Sequence, residues 1–212
     1  MKRIIKILII SIITVAAIVI YLSHYGIKTE KFNNEIKKNV SKINKNINLS
    51  LNKVNYLLNP LNFSINISAK NPKILLEDKS LDLSDITTNI SLKSFINNQF
   101  SIDDLKISTK EIQIKDLISL TRKVKGSPQL FILDSITKAG LISANINLTF
   151  DLDGEIKKDY QINGTIKKAK FNIFNQVEIE NLDLSFDISK NQLILRKVET
   201  KINNIKLKSS LI

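Results

Sequence analysis

The sequence predicts a mainly β protein with one N-terminal transmembrane helix and a short helical insertion. Three observations lead to this prediction: an unbroken apolar run near the N-terminus, alternation of apolar and polar residues over most of the chain after residue 60, and helical spacing at residues 115–139. The 212 residues, less a membrane segment, are enough for one ordinary domain with its own core.

The N-terminal run is apolar from Ile7 to Leu22 apart from Ser11 and Thr14, and extended back over Lys6 to Ile4 it is long enough to span a bilayer as a helix. A cleaved signal peptide is the competing interpretation, but its apolar core would be shorter, and the following YLSHYG offers no small residues for a cleavage site. Lys2 and Arg3 precede the run, and a short basic tail rarely crosses a membrane. We therefore predict an uncleaved anchor over residues 1–28 with a cytoplasmic N-terminus.

The next segment, residues 29–59, is predicted as an amphipathic helix or stalk. Thr29 is available as its N-cap. Apolar residues follow at helical spacing: Phe32, Ile36, Val40, Ile43 and Ile47.

Residues 60–212 are predicted to form one β-rich domain, since short alternating segments follow one another without a Pro, Ser or Gly-rich linker. The exception is the helical insertion at residues 115–139. There Ser127 and Pro128 are placed as N-cap and first helical residue, and Gly140 is placed as the C-terminal stop.

The stretch ISANINLTFDLDGEIKKDYQINGTI, from residue 142, predicts a hairpin with one apolar face. A two-residue turn at Asp153-Gly154 would set apolar against polar residues, so we predict a three-residue loop with Gly154 left-handed. The expected pairs are Phe150 with Ile156, Ile146 with Tyr160, and Ala144 with Ile162. The alternation changes phase near Lys167-Lys168, where we expect a bulge or tight turn.

The apolar face of these strands needs a cover. One helix is about 10 Å wide and shields roughly two strands, so two short helices shield about four of roughly ten. The remaining apolar surface either closes on itself as a sandwich or barrel, or stays open as a groove for an apolar ligand. The pattern alone leaves both alternatives open.

Composition excludes several functions. The net charge of +12 comes from 29 Lys and three Arg spread along the chain, with no Trp, whereas nucleic-acid binding favours Arg forks and aromatic platforms, so no nucleic-acid partner is expected. There is no Cys, and His24 is the only His, so a thiolate or multi-His metal site is excluded. The carboxylate pairs Asp103-Asp104 and Asp82 with Asp85 are typical of solvated turns and strand edges. We expect no enzyme, no metal and no cofactor.

Three stretches carry a family resemblance. They are NPKILLEDKSLDLSDITTNISL, FSIDDLKISTKEIQIKDLISLTR and GLISANINLTFDLDGEIKKDYQINGTIKKAKFNI, placed behind a membrane anchor and around a helical pair. The organisation resembles the AsmA-like proteins, which include TamB and YhdP and are related to eukaryotic bridge-like lipid-transfer proteins. The resemblance covers nearly the whole chain. It implies an elongated, curved antiparallel sheet whose apolar groove carries phospholipid acyl chains through the periplasm. Members of that family are longer, and the strand-like C-terminus suggests a fragment of a larger protein.

The resemblance also implies a location and partners. The chain would be a single-pass protein of the inner, cytoplasmic membrane with its domain in the periplasm, serving phospholipid transport to the outer membrane and envelope biogenesis, with outer-membrane proteins as candidate partners. The alternative is an anchored closed β-sandwich without a groove, either LptC-like or a structural or assembly partner. The predicted lipid-binding residues are those of the alternating set: Ile142, Ala144, Ile146, Leu148, Phe150, Ile156, Tyr160, Ile162, Leu182, Leu184, Phe186 and Ile188.

Overall fold

The structure is a computed structural model that describes residues 2–34, 36–38, 47–76, 79–97, 99, 101–124, 126–174 and 176–211. Its helices are α1 Lys2–His24, α2 Leu92–Ile96, α3 Ile114–Val124 and α4 Pro128–Ile136. Its strands are β1 Ile27–Thr29, β2 Ile47–Ser50, β3 Val54–Asn59, β4 Ser64–Lys70, β5 Lys73–Leu76, β6 Lys79–Ser91, β7 Ile102–Thr109, β8 Ile112–Gln113, β9 Thr137–Thr149, β10 Gln161–Ile173, β11 Val177–Ser189, β12 Gln192–Ile202 and β13 Ile205–Leu211.

The described strands form one large open antiparallel sheet. The main path through its 13 strands runs β1-β3-β4-β6-β7-β9-β10-β11-β12-β13. Off this path, β5 pairs with the first part of β6, β2 pairs with β5, and β8 pairs with β9. The predicted mainly β fold is therefore confirmed. The strands of the main path follow one another in one open sheet and do not close into a sandwich.

Helix α1 has the expected length and composition. Its apolar part, Arg3–His24, is long and apolar enough to cross a membrane, and none of it is buried against the rest of the protein. At 1.5 Å per residue, 22 residues extend about 33 Å, close to the thickness of a hydrocarbon core. Its length and composition are compatible with a single membrane span.

The segment predicted as a helical stalk, 29–59, differs in the structure. Strand β1 includes Thr29, Ile47 opens β2, and β3 ends at Asn59, so the sheet begins well before residue 60. Residues 36–38 are helical. Residues 39–46, with Val40 and Ile43 of the predicted helix, lie outside the described residues. The helix prediction is wrong from Ile47 onward, because the backbone there pairs with β5, Leu49 lying opposite Ile74.

The loop between β9 and β10 has the predicted form. Gly154 has a φ of 85°, and Phe150 forms a bridge with Ile156. The Asp151 carboxylate accepts hydrogen bonds from the backbone N–H groups of Asp153 and Glu155 at 3.0 and 2.9 Å. This Asx-type cap stabilises the turn that the three-residue loop requires.

Beyond that loop the register differs from the prediction. Ile146 pairs with Ile162, and Ala144 pairs with Gly164, so the predicted pairs Ile146 with Tyr160 and Ala144 with Ile162 are wrong by two residues. The extra residues lie between the Phe150 bridge and Gln161, outside any strand. Because a shift of two leaves every side chain on its original face, the predicted apolar face is preserved.

The helical insertion packs on the far end of β9 and β10. Ser127 caps α4, its hydroxyl accepting from the Leu130 N–H at 3.3 Å, and Pro128 is the first helical residue, as predicted. Gly140 is not the helix stop, because β9 already begins at Thr137. Gly140 lies in that strand with a φ of 132°, where an added Cβ would lie 2.7 Å from the Ala169 Cα. It is needed for close approach of the two strands.

A line of bulges crosses three neighbouring strands. Lys168 of β10, Asn181 of β11 and Lys197 of β12 all have φ near +50°, and each lies at a register shift. The Lys168 N–H donates to the Asp183 carboxylate at 2.7 Å. The bulge predicted at Lys167-Lys168 is therefore confirmed.

Candidate functional site

One row of paired residues crosses nine strands of the sheet, and we call it the apolar row. Directly paired residues lie on the same face, so the members of this row share one face. From β1 to β12 they are Thr29, Val54, Ala69, Ile86, Ile107, Ile146, Ile162, Ile188 and Leu193. At about 4.8 Å per strand the row is roughly 38 Å long. We refer to the surface around it as the apolar face.

The opposite face is polar, as the alternation requires. The row displaced by one residue from the apolar row contains Lys70, Asp85, Ser108, Asn145, Asn163 and Asp187. The Asn145 amide donates to Asn163 at 3.2 Å, so the two side chains bond across the strands. The sheet thus has one apolar and one hydrogen-bonded face.

The twelve predicted residues fall into three groups on this sheet. Ile146, Ile162 and Ile188 belong to the apolar row itself. Others form parallel rows on the same face, with Leu148 opposite Leu105, Ala144 and Phe186 flanking Gly164, and Ile142 and Leu184 flanking Ile166. Phe150 and Ile156 bridge at the hairpin end, Leu182 pairs with Ala169, and Tyr160 lies half-buried outside the strands.

Three predicted residues are covered by the protein itself. Ile142 and Leu182 pack against the cluster of Ile114, Ile118 and Ala169, which lies beneath the helical insertion. Phe186 is only 9% exposed, and its ring lies over Gly164, where an added Cβ would approach the ring to 2.6 Å. These three side chains contribute to packing within the protein, where Phe186 is buried and Ile142 and Leu182 are partly buried.

The remaining part of the apolar face on β9 to β12 is less covered. Ile146, Leu148, Ile162 and Ile188 are half-buried, and Leu193 is 62% exposed. Half-burial of these residues follows from their neighbours within the sheet, since the helical insertion packs at the Ile142 end of the strands. This surface is apolar and accessible.

The same face continues into β4, β6 and β7, which was not predicted from the sequence. Ile67, Ile86 and Ile90 line an apolar cavity of about 260 Å³ there, covered from the other side by Ile36 and Leu49. The alternation of apolar residues in β6 and β7 was visible in the sequence, but nothing in it said that these strands adjoin β9.

The carboxylates considered as candidate acids act as partners within the sheet. Asp82 pairs with Lys73 at 3.3 Å, and Asp104 accepts from the Asn89 side chain at 2.8 Å. Burial raises the pKa of Asp103, the neighbouring Asp104 carboxylate raises it further, and Lys157 partly offsets the rise. Among the described residues no group of three or more His, Cys, Asp or Glu is placed to hold a metal ion.

What this arrangement offers chemically is an accessible apolar surface over β9 to β12, backed by the polar side chains of the opposite face. It can hold an aliphatic ligand by burial of apolar area, and it offers few polar groups for orienting one. No family model matches this chain, and no curated protein or solved structure matches it either.

Proposed function

We propose that this chain is a single-pass inner-membrane protein whose periplasmic sheet binds phospholipid acyl chains along a groove formed by its apolar face. The bound lipid is carried between the inner and outer membranes for envelope biogenesis, as the resemblance to AsmA-like proteins implies. The observation that carries the proposal is the apolar row, whose portion from Ile146 to Leu193 is left accessible. No bond-making chemistry is assigned to the protein.

The apolar face of β9 to β12 leaves apolar surface in contact with water. Contiguous exposed apolar patches on soluble proteins are small, and larger ones mark binding surfaces. Each acyl methylene that leaves water contributes about 0.8 kcal/mol, so a chain lying along several isoleucines gains affinity from its length. Ile146, Ile162 and Ile188 form the centre of this surface.

Selectivity for a headgroup should be low. The side chains nearest the apolar row on its own face are apolar or small, such as Leu148 and Ala144. A binding surface rejects related ligands strongly only where it presents polar groups that a wrong ligand leaves unpaired. The headgroup is expected to stay in water at the ends of the strands.

Lipid co-purification tests the proposal with the full chain. Ile146→Asn with Ile162→Asn alters the apolar face, and Asn145→Ser with Asn163→Ser is the matched control on the opposite face of the same strands. Phospholipid per chain, measured by mass spectrometry after detergent exchange, should fall in the apolar-face variant and stay at the wild-type level in the control. Helix α1 is identical in all three, so lipid held by the anchor cancels. Equal lipid in all three proteins, with unchanged unfolding midpoints, contradicts the proposal.

A further inference from the structure

Exposed apolar side chains collect at one end of the strands, and we call this end the apolar rim. It consists of the β3–β4 turn, helix α2 and the β9–β10 hairpin. Its side chains are Leu61, Phe63, Phe95, Ile96, Leu152 and Ile156, which are 53 to 95% exposed. Apolar residues at the tips of three successive connections are unusual, because such tips are normally polar.

The three parts of the rim are joined to one another. The Leu92 N–H at the start of α2 donates to the Phe63 carbonyl at 3.0 Å. The Phe150 N–H at the start of the hairpin donates to the Asp103 carbonyl of β7, also at 3.0 Å. Strand β6 ends at α2, and β7 begins at the same end of the sheet, so the three parts of the rim form one continuous edge.

Helix α1 joins the sheet at this same end. Ile27, the first residue of β1, pairs with Tyr56 in the second half of β3, which then runs on into the β3–β4 turn. Gly26 makes this junction with a φ of 64°, and a Cβ there would lie 2.5 Å from the Tyr56 carbonyl. The helix thus ends against the strand that leads to Leu61 and Phe63.

We propose that the apolar rim rests in the interfacial region of the same bilayer that α1 spans, with Leu61, Phe95 and Leu152 inserted among the headgroups. The inference rests on the membrane anchoring proposed above and adds an orientation to it. Aromatic and aliphatic side chains at this depth bury apolar area without needing a full transmembrane segment. The short connection through Gly26 keeps the rim beside the anchor.

The charges near the rim select the kind of bilayer. The charged residues of the rim segments are Asp151, Asp153, Glu155 and Asp159 with Lys157 and Lys158 in the hairpin, and Lys93 in α2. This mixture gives no net attraction to anionic lipid, so the contact should form on a zwitterionic bilayer and should depend little on salt. For the proposed function, the consequence is that acyl chains could pass from the bilayer onto the apolar face at the rim.

Single tryptophans test the orientation, because the chain contains no Trp of its own. Phe95→Trp and Leu152→Trp report on the rim, and Phe174→Trp and Ile205→Trp report on exposed positions at the opposite ends of the strands. Val15→Trp reports on α1. Each full-length variant is reconstituted in phosphatidylcholine vesicles, and its fluorescence is quenched either by lipids brominated near the headgroup or by aqueous iodide.

The rim tryptophans should lose most of their fluorescence to brominated lipid and little to iodide, at low and at high salt. The opposite-end tryptophans should show the reverse. If iodide quenches Phe95→Trp as strongly as Phe174→Trp while lipid still quenches Val15→Trp, the rim does not contact the bilayer. That result overturns the proposed orientation and leaves the membrane anchoring intact. Rim tryptophans protected from both quenchers indicate a second copy as the cover and also overturn it. Loss of lipid quenching at Val15→Trp overturns the membrane anchoring as well. If the protein does not bind acyl chains, these quenching signals stay the same, so the orientation is tested separately from the proposed lipid binding.

Discussion

The two halves of the sheet carry the same alternation but differ in what lies over it. In the first half Val54 is 1% exposed and lines a cavity that Leu49 covers, and Leu83 is also 1% exposed. In the second half Ile162 is half-buried, and Leu193 in the same row is largely exposed. Both halves therefore present an apolar face, but in the second half the helical insertion covers only the Ile142 end and leaves the part from Ile146 to Leu193 accessible.

The difference shows that alternation determines which face is apolar but not whether that face is buried. A strand buries its apolar face only when another element packs on it. The second half therefore keeps the surface that the proposed function needs. The following predictions test this comparison.

The largest effect is expected at the covered half, for Leu83→Ala. Truncating a fully buried leucine removes apolar burial and leaves a cavity, which costs about 2–5 kcal/mol of unfolding free energy. Chemical denaturation of the full chain in detergent measures it. The matched substitution Leu193→Ala, in the accessible half, should change the unfolding free energy by about 0.5 kcal/mol or less. Similar losses for the two variants would show that the second half is covered too.

A smaller effect is expected for Gly164→Ala in the second half, because the buried Phe186 ring lies over this glycine. A Cβ there would lie 2.2 Å from the Ser143 carbonyl and 2.6 Å from the Phe186 ring, so strand and ring must move. Overpacking of this kind costs about 1–3 kcal/mol.

The control for that variant is Gly126→Ala, where the nearest atom to an added Cβ is the Arg122 carbonyl oxygen at 3.7 Å. It should leave the unfolding midpoint in urea nearly unchanged. If Gly164→Ala also leaves the unfolding midpoint unchanged, the Phe186 ring is not held in place over Gly164. The tight packing described for these two residues would then be wrong.

The smallest effect concerns the ion pairs that join strands in the second half. Lys170 contacts Glu178 and Glu180 at 2.8 and 2.7 Å. The hydrogen bond from Lys170 lowers the pKa of Glu180 below its ordinary value of 4.5, and the two carboxylates raise that of Lys170 above 10.5.

The sign of the pH dependence follows from these shifts. The Glu180 contribution is present above pH 4.5 and is lost as the pH falls through the lowered value, while the Lys170 contribution is present below pH 10.5 and is lost above it. In Glu180→Gln the urea midpoint should therefore fall less on acidification than in the wild type. The difference should be small, because salt screens exposed ion pairs. If Glu180→Gln and the wild type show the same dependence of the urea midpoint on acid pH in low salt, the Lys170–Glu180 pair does not contribute to stability.

Much of the fold could be predicted from the sequence because it depends on local pattern. The apolar helix, the Gly154 loop and the bulge at Lys168 each follow from neighbouring residues alone. The stalk prediction failed where local patterns compete: Ile47 extends a helical spacing, yet Ile47 and Leu49 also begin an alternation. Pairing with β5 decided between them, and that partner lies more than twenty residues away.

The candidate site was predicted in part. The face of Ile146 and Ile162 was correct even though their partners were shifted, because a shift of two preserves faces. The cover over Ile142 could not be predicted, since it depends on where the helical insertion packs. The extension of the apolar row to Ile107 and Ile86 depends on the order of strands, which alternation does not encode.

If the proposed function is correct, lipid tails contact the apolar face and not the polar one. A photo-crosslinking amino acid placed at Ile162 or at Asn163 of the full chain tests it directly, because the two positions are adjacent and lie on opposite faces of β10. After irradiation of cells, mass spectrometry should find phospholipid attached at position 162 and little at position 163. Phospholipid attached equally at both positions, or at neither, would contradict the account.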